Sequence, residues 1–109
     1  MGVDPRQAAR PPGGHPEPPA ELTDFQQAVV EVVADLEPGE LLTYGEVARE
    51  AGWPGAAQAV ANVLRRVPEL PWWRVVPANG RLYFTHAPRQ AELLRAEGIE
   101  VDEHRRIRP

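Results

Sequence analysis

Cysteine is absent from the 109 residues. That excludes disulfides, thiolate metal ligands and a cysteine nucleophile. Lysine is absent too, and all twelve basic residues are arginine. Genomic composition alone can produce that bias, so it carries little functional weight. Histidine is scarce: His15, His86 and His104 are scattered without ligand spacing, so neither a metal site nor a cofactor is expected. No apolar run reaches a membrane-spanning length or forms the core of a secretory signal, so the expected location is the cytoplasm, with no membrane association. A net charge of −4 argues against a general nucleic-acid coat.

The distribution of that charge is more informative than its sum. Residues 17–50 carry nine acidic side chains against Arg49 alone. Residues 55–84 carry Arg65, Arg66, Arg74 and Arg81 against Glu69. A locally basic middle on an acidic chain suits a small, selective anion-facing surface.

Residues 1–21 hold six of the thirteen prolines and almost nothing apolar. Such a stretch cannot bury enough surface to offset its ordering entropy, and it is expected to be a disordered, proline-rich arm. The folding unit expected is 22–109, one domain with a modest core. Thr23-Asp24-Phe25-Gln26 matches a capping box, followed by Phe25, Val29, Val32, Val33 and Leu36 at helical spacing and a stop at Pro38-Gly39. Thr43-Tyr44-Gly45-Glu46 is a second capping box and predicts a short helix to about Ala51. After a turn at Gly52 to Gly55, a third helix is expected to about Val67, burying Val60, Val63, Leu64 and Val67. Trp72 to Val76 is predicted as a strand, with Pro77-Ala78-Asn79-Gly80 as a tight turn and Arg81 to Phe84 as its hairpin partner. A last helix is expected from Pro88 through Glu97, capped by Gly98, and then a loosely held tail. The pattern predicts a mostly α fold with a small β hairpin, a winged helix-turn-helix-like DNA-binding domain.

The third helix, "GAAQAVANVLRR", exposes Ala57, Gln58, Ala61 and Asn62. A helix reading the major groove projects long polar side chains to base edges. Small residues instead let a helix backbone approach a shallow surface, as minor-groove contact requires. Alanine also simply favours helix, Arg65 and Arg66 complement the dipole at a helix end, and Tyr44 suits a core position. Taken singly, none of these residues is diagnostic. In "LPWWRVVPANG", adjacent tryptophans point to opposite faces if the segment is extended.

Together, "LLTYGEVA", "GAAQAVANVLRR", "PWWRVV" and "LLRAEG" resemble, in order and spacing, the DNA-binding domain of the O6-alkylguanine-DNA alkyltransferases, over about residues 23–98. The hallmark of that family is Pro-Cys-His-Arg-Val, in which the cysteine accepts the alkyl group and the histidine activates it. Here the aligned segment is Pro71-Trp72-Trp73-Arg74-Val75, so Trp72 stands at the nucleophile's position. Tryptophan there is a feature of the alkyltransferase-like proteins, the non-catalytic relatives that bind alkylated guanine and leave the alkyl group in place. Trp73 departs even from those relatives, which commonly keep the histidine. The family's hinge asparagine falls at Val67, and the loop around Tyr83 to Pro88 is shorter than usual.

The resemblance implies roles for single residues. Tyr44 presses on the phosphate beside the target nucleotide and helps to rotate it out, Arg65 enters the stack in its place, and Ala57 and Ala61 line the minor-groove face. Trp72, Trp73, Arg74, Tyr83 and Phe84 would form the lesion pocket, with Arg74 ordering the motif's backbone and Glu97 structural. The function implied is non-enzymatic recognition of O6-alkylguanine in double-stranded DNA, by a monomer, marking the lesion for nucleotide excision repair proteins. Two other classes stay open: a winged-helix DNA-binding regulator without lesion selectivity, and an enzyme of different chemistry or a protein-interaction module.

Overall fold

Two reciprocal caps set the first helix starts. Thr23 Oγ1 accepts the Gln26 amide at 3.0 Å, while the Gln26 side chain accepts the Thr23 amide at 3.0 Å. Thr43 and Glu46 repeat the arrangement at 3.1 and 2.8 Å. Each cap is worth about 1 kcal/mol. The computed structural model describes residues 22–108, and the arm expected at 1–21 lies outside the described residues. Among the described residues the order is α1 (Asp24–Ala34), β1 (Leu42–Thr43), α2 (Tyr44–Ala51), α3 (Ala57–Arg66), a 3₁₀ turn (Trp72–Arg74), β2 (Val75–Val76) and α4 (Ala87–Ala96). No described helix is long and apolar enough to cross a membrane.

The apolar spacing builds two clusters. Val29 and Val33 of α1, Val47 and Ala48 of α2, and Val60 and Val63 of α3 pack with Leu70 and Val75. Val76, Leu82, Ala87, Ala91, Leu94 and Val101 form the second cluster, with Trp73, Ile99 and Ile107 against it. Val75 and Val76 thus face different cores, as neighbours in extended chain must. The connection between α2 and α3 depends on Gly52, whose φ of 99° lets the Trp53 amide reach back to the Ala48 carbonyl at 2.9 Å.

The small β element is wired differently from the expected hairpin. Trp72 to Arg74 coil into a 3₁₀ turn, with the Arg74 amide on the Pro71 carbonyl at 3.1 Å, which leaves only Val75 and Val76 extended. These two pair in parallel with β1, Leu42 opposite Val75 and Thr43 opposite Val76. The turn at Pro77 to Gly80 is present, with the Gly80 amide on the Pro77 carbonyl at 3.0 Å and Asn79 Oδ1 accepting the Arg81 amide at 2.9 Å. Beyond it the chain pairs with the C-terminal tail: Arg81 and Arg106 form an antiparallel bridge, as do Val101 and Ile107.

The expectation of a loosely held tail is therefore corrected. Leu82 donates to the Arg105 carbonyl at 2.8 Å, Ile107 to Gly80 at 2.8 Å and Arg108 to Glu100 at 2.9 Å. The Arg95 guanidinium closes on the Val101 carbonyl at 2.8 Å, and Val101 itself is buried. Deleting residues 101–109 removes one wall of the second core and exposes Leu82. Stability should fall by roughly 2–3 kcal/mol, lowering Tm by roughly 10–15 °C for a domain of this size. An unchanged thermal melt would show that the tail lies outside the cooperative core.

Candidate nucleic-acid interface

The start of α2, one face of α3, the 3₁₀ turn and the loop before α4 converge on a cavity of about 500 Å³. Tyr44 enters from the first turn of α2, where the Thr43 cap fixes the backbone. Gln58, Ala61, Leu64 and Arg65 come from α3, spaced so that they share one side of the helix. Trp72 closes the cavity from the 3₁₀ turn, and Tyr83, Thr85 and His86 close it from the loop. Aromatic rings run continuously around the wall: Tyr44 to Tyr83 is 5.9 Å between centroids, Tyr83 to His86 6.3 Å, and His86 to Trp72 5.6 Å. Such a wall offers flat, polarisable faces to a planar ligand.

Burial raises the Tyr44 phenol above its ordinary pKa, the neighbouring Tyr83 adds to this, and the Arg65 guanidinium opposes it. The hydroxyl is therefore neutral and able to donate, so an anion beside it meets a dipole rather than a charge. Arg65 is exposed on the last turn of α3, where its guanidinium donates to Asn62 Oδ1.

Of the residues expected to act together, Tyr44, Ala61, Arg65, Trp72 and Tyr83 are brought around this cavity. Ala57 lies one turn away, in an adjoining groove with Asn79, Arg81 and Arg105. Phe84 is 77% exposed and lines that groove instead, under the Arg105 guanidinium at 5.7 Å. Trp73 and Arg74, expected in the pocket, stand outside it. Residues in a 3₁₀ turn project about 120° apart, so Trp73 turns away from Trp72, their rings edge to face at 6.1 Å.

That other side of the turn is a polar junction. Glu97 Oε2 accepts from Arg74 Nη2 at 2.6 Å and from Trp73 Nε1 at 2.8 Å. Its second oxygen accepts from the Gly39 amide at 2.9 Å and from Arg74 Nε at 3.0 Å. Arg74 Nη1 reaches the Leu36 carbonyl at 2.8 Å, and its guanidinium lies 5.2 Å from the Trp73 ring centroid. The hydrogen bonds from Arg74 are the main reason the Glu97 carboxyl is lowered from 4.5 to about 2; burial opposes them, while Gly39 and Trp73 assist. From the α4 side, the buried Gln90 amide donates to the carbonyls of Trp73 at 3.0 Å and Val75 at 3.2 Å.

Sequence reasoning missed His86, Gln58, Leu64 and Thr85 as lining residues and Gln90 as a buried strut. The available clue was Gln90 itself, a polar residue on the same face of α4 as Leu94. Among the described residues no group of three or more His, Cys, Asp or Glu side chains could hold a metal ion.

The family described as 6-O-methylguanine DNA methyltransferase, DNA binding domain, matches residues 24–99. A protein of Escherichia coli K12 named DNA base-flipping protein is 45% identical over 82 residues, covering 71% of this chain and 64% of the relative. Alkyltransferase-like protein 1 of Schizosaccharomyces pombe is 31% identical over 87 residues, covering 73% and 81%. A crystal structure of S. pombe Atl1 in complex with damaged DNA containing O6-carboxymethylguanine aligns with a TM-score of 0.66 at 30% identity, covering 75% of this chain and 82% of that one. The chain thus spans less than two thirds of the E. coli relative and most of the S. pombe one.

The Glu97 junction has a pH signature. Because the folded-state value is about 2 and the ordinary one 4.5, its contribution is present above about pH 4.5 and is lost as pH falls towards 2. Glu97→Gln should cost on the order of 1.5–3 kcal/mol at neutral pH, the range for hydrogen bonds to a charged group. It should also flatten the decline of stability in that acid window. Denaturant titrations of both proteins at several pH values check this; parallel acid profiles would remove Glu97 as the source.

Proposed function

The chain belongs to the family of 6-O-methylguanine DNA methyltransferase DNA-binding domains, and on that premise we propose that it recognises O6-alkylguanine in duplex DNA and leaves the alkyl group in place. The observation that carries the reading is Trp72 on the wall of a cavity bordered by Tyr44 and Arg65. A nucleotide rotated out of the helix finds aromatic faces there, and base stacking on an aromatic side chain is worth about 1–3 kcal/mol. That is comparable to the few kcal/mol that unstacking requires, least at a damaged base. Tyr44, held neutral, approaches the phosphate beside the rotated nucleotide without repelling it. Arg65 occupies the vacated place in the stack, and the small faces of Ala57 and Ala61 let α3 lie close to the minor groove.

The relatives named for base flipping and the Atl1 structure with damaged DNA support this reading. Alkyl transfer needs a nucleophile, and the chain has no cysteine. With no chemistry of its own at the lesion, the protein is proposed to act as a cytoplasmic monomer that marks the site for nucleotide excision repair proteins.

In a competition titration, duplex containing O6-methylguanine should bind more tightly than the undamaged duplex. Arg65→Ala should weaken lesion binding by about 1–3 kcal/mol, one charge-assisted contact plus its insertion into the stack. Equal affinity for the two duplexes would favour a DNA-binding regulator instead.

Restoring a thiol should not restore transfer. A free cysteine has a pKa near about 8.5, so only a few per cent is thiolate at neutral pH. An indole N–H only donates, and that of Trp73 is already bonded to Glu97. Glu97 is occupied by Arg74 and Gly39, so it is not free to take the proton. Trp72→Cys incubated with O6-methylguanine duplex should show no added methyl by mass spectrometry. Rapid methylation would sink the argument that activation is the obstacle.

A further inference from the structure

The half-buried residues around the cavity are Tyr44, Ala61, Leu64, Trp72 and His86, whereas Gln58, Arg65, Tyr83 and Thr85 are exposed at its rim. Three of the inner set carry polar atoms on their side chains: Tyr44 already has a role towards the phosphate, the Trp72 indole offers an N–H that only donates, and the third is His86. It occupies the N-cap of α4, yet its side chain makes no capping hydrogen bond. Its backbone is fixed on both sides: the amide donates to the Tyr83 carbonyl at 3.0 Å and the carbonyl accepts from Gln90 at 2.9 Å. Its ring lies between Trp72 and Tyr83, 5.6 and 6.3 Å away. The imidazole is thus held by packing, with its nitrogens uncommitted among the described residues.

Alkylation at O6 does more than add bulk to guanine. It removes the proton from N1, so that atom changes from a hydrogen-bond donor to an acceptor. An imidazole N–H directed at N1 bonds to the alkylated base and meets another N–H on unmodified guanine. A neutral imidazole has one N–H and one bare nitrogen, so the discrimination belongs to the tautomer that turns its N–H to the base; in that tautomer the alkylated base is satisfied and guanine is left unpaired. We infer that His86 is a specificity-determining residue of the lesion pocket, donating a hydrogen bond to N1 of the rotated O6-alkylguanine. This rests on the lesion-recognition reading above. Because every O6-alkyl lesion shares the altered N1, His86 reads the class of damage, and the space beside Trp72 sets which alkyl groups fit.

The test pairs a change in the protein with a change in the base. His86→Phe keeps a ring beside Trp72 and removes the N–H, whereas His86→Gln keeps a donor. The native protein and both variants are titrated with duplexes carrying guanine, O6-methylguanine or 1-deaza-O6-methylguanine, in which N1 is replaced by C–H. The preference for O6-methylguanine over guanine should fall about tenfold in His86→Phe, the effect of losing one such hydrogen bond. It should be largely restored in His86→Gln. The native protein should lose about tenfold on the 1-deaza lesion, and His86→Phe should lose almost nothing further, because the two changes delete the same contact. Full preference in His86→Phe, or equal native affinity for the two lesions, would overturn the assignment. The 1-deaza comparison needs no variant and tests the contact on the native chain. A native protein with no preference for O6-methylguanine would instead defeat the lesion reading, and this assignment with it.

Discussion

The carboxylate of Glu97 gathers segments that are far apart in the chain: the Gly39 amide after α1, the Trp73 indole and Arg74 guanidinium of the 3₁₀ turn, and, through Arg74, the Leu36 carbonyl. Arg74 and Glu97 are each only 12% exposed, so their hydrogen bonds form largely out of competition with water. Gln90 fastens the same turn from α4. With the turn fixed from two sides and Trp73 committed to Glu97, the rotation of the 3₁₀ turn leaves Trp72 one direction, into the cavity. The residue that defines the candidate site is thus positioned by groups that do not line it.

This explains which parts of the molecule were legible in the sequence. Both capping boxes and the apolar spacing of α1 to α3 are local features, and the structure has them where the sequence places them, although α1 ends at Ala34, ahead of the expected stop at Pro38-Gly39. The pairing of β2 was not legible because its partner lies 33 positions earlier and each strand has only two residues, too few for alternation to register. Asn79-Gly80 did mark a turn, but a turn dictates reversal, not the identity of the next partner. The tail escaped notice because its apolar contribution is three residues, Ile99, Val101 and Ile107, set among charges. His86 was passed over because a lone histidine carries no pattern; only the fold places it beside Trp72.

The two adjacent tryptophans divide the work of the motif. Trp72 presents an aromatic face to the cavity, while Trp73 converts what resembles a catalytic position into part of the structural junction. With a carboxyl pKa of about 2, Glu97 is an acceptor throughout the neutral range and holds no proton to deliver. The region is therefore equipped to bind and orient, and its charged pair is spent on architecture.

The location of the cavity completes the picture. One wall, from α2 and α3, is backed by the first apolar cluster, and the opposite wall, from the loop before α4, is backed by the second. The seam between the clusters is bridged by the β1–β2 pair, in which Val75 belongs to one core and Val76 to the other. The tail seals the second cluster and holds Leu82, the residue before Tyr83. Both walls are thus fixed before any ligand arrives, so contact energy is not consumed in assembling the pocket. For the proposed uptake of a rotated base, that matters: the stacking and hydrogen bonds gained inside remain available to offset the few kcal/mol of unstacking.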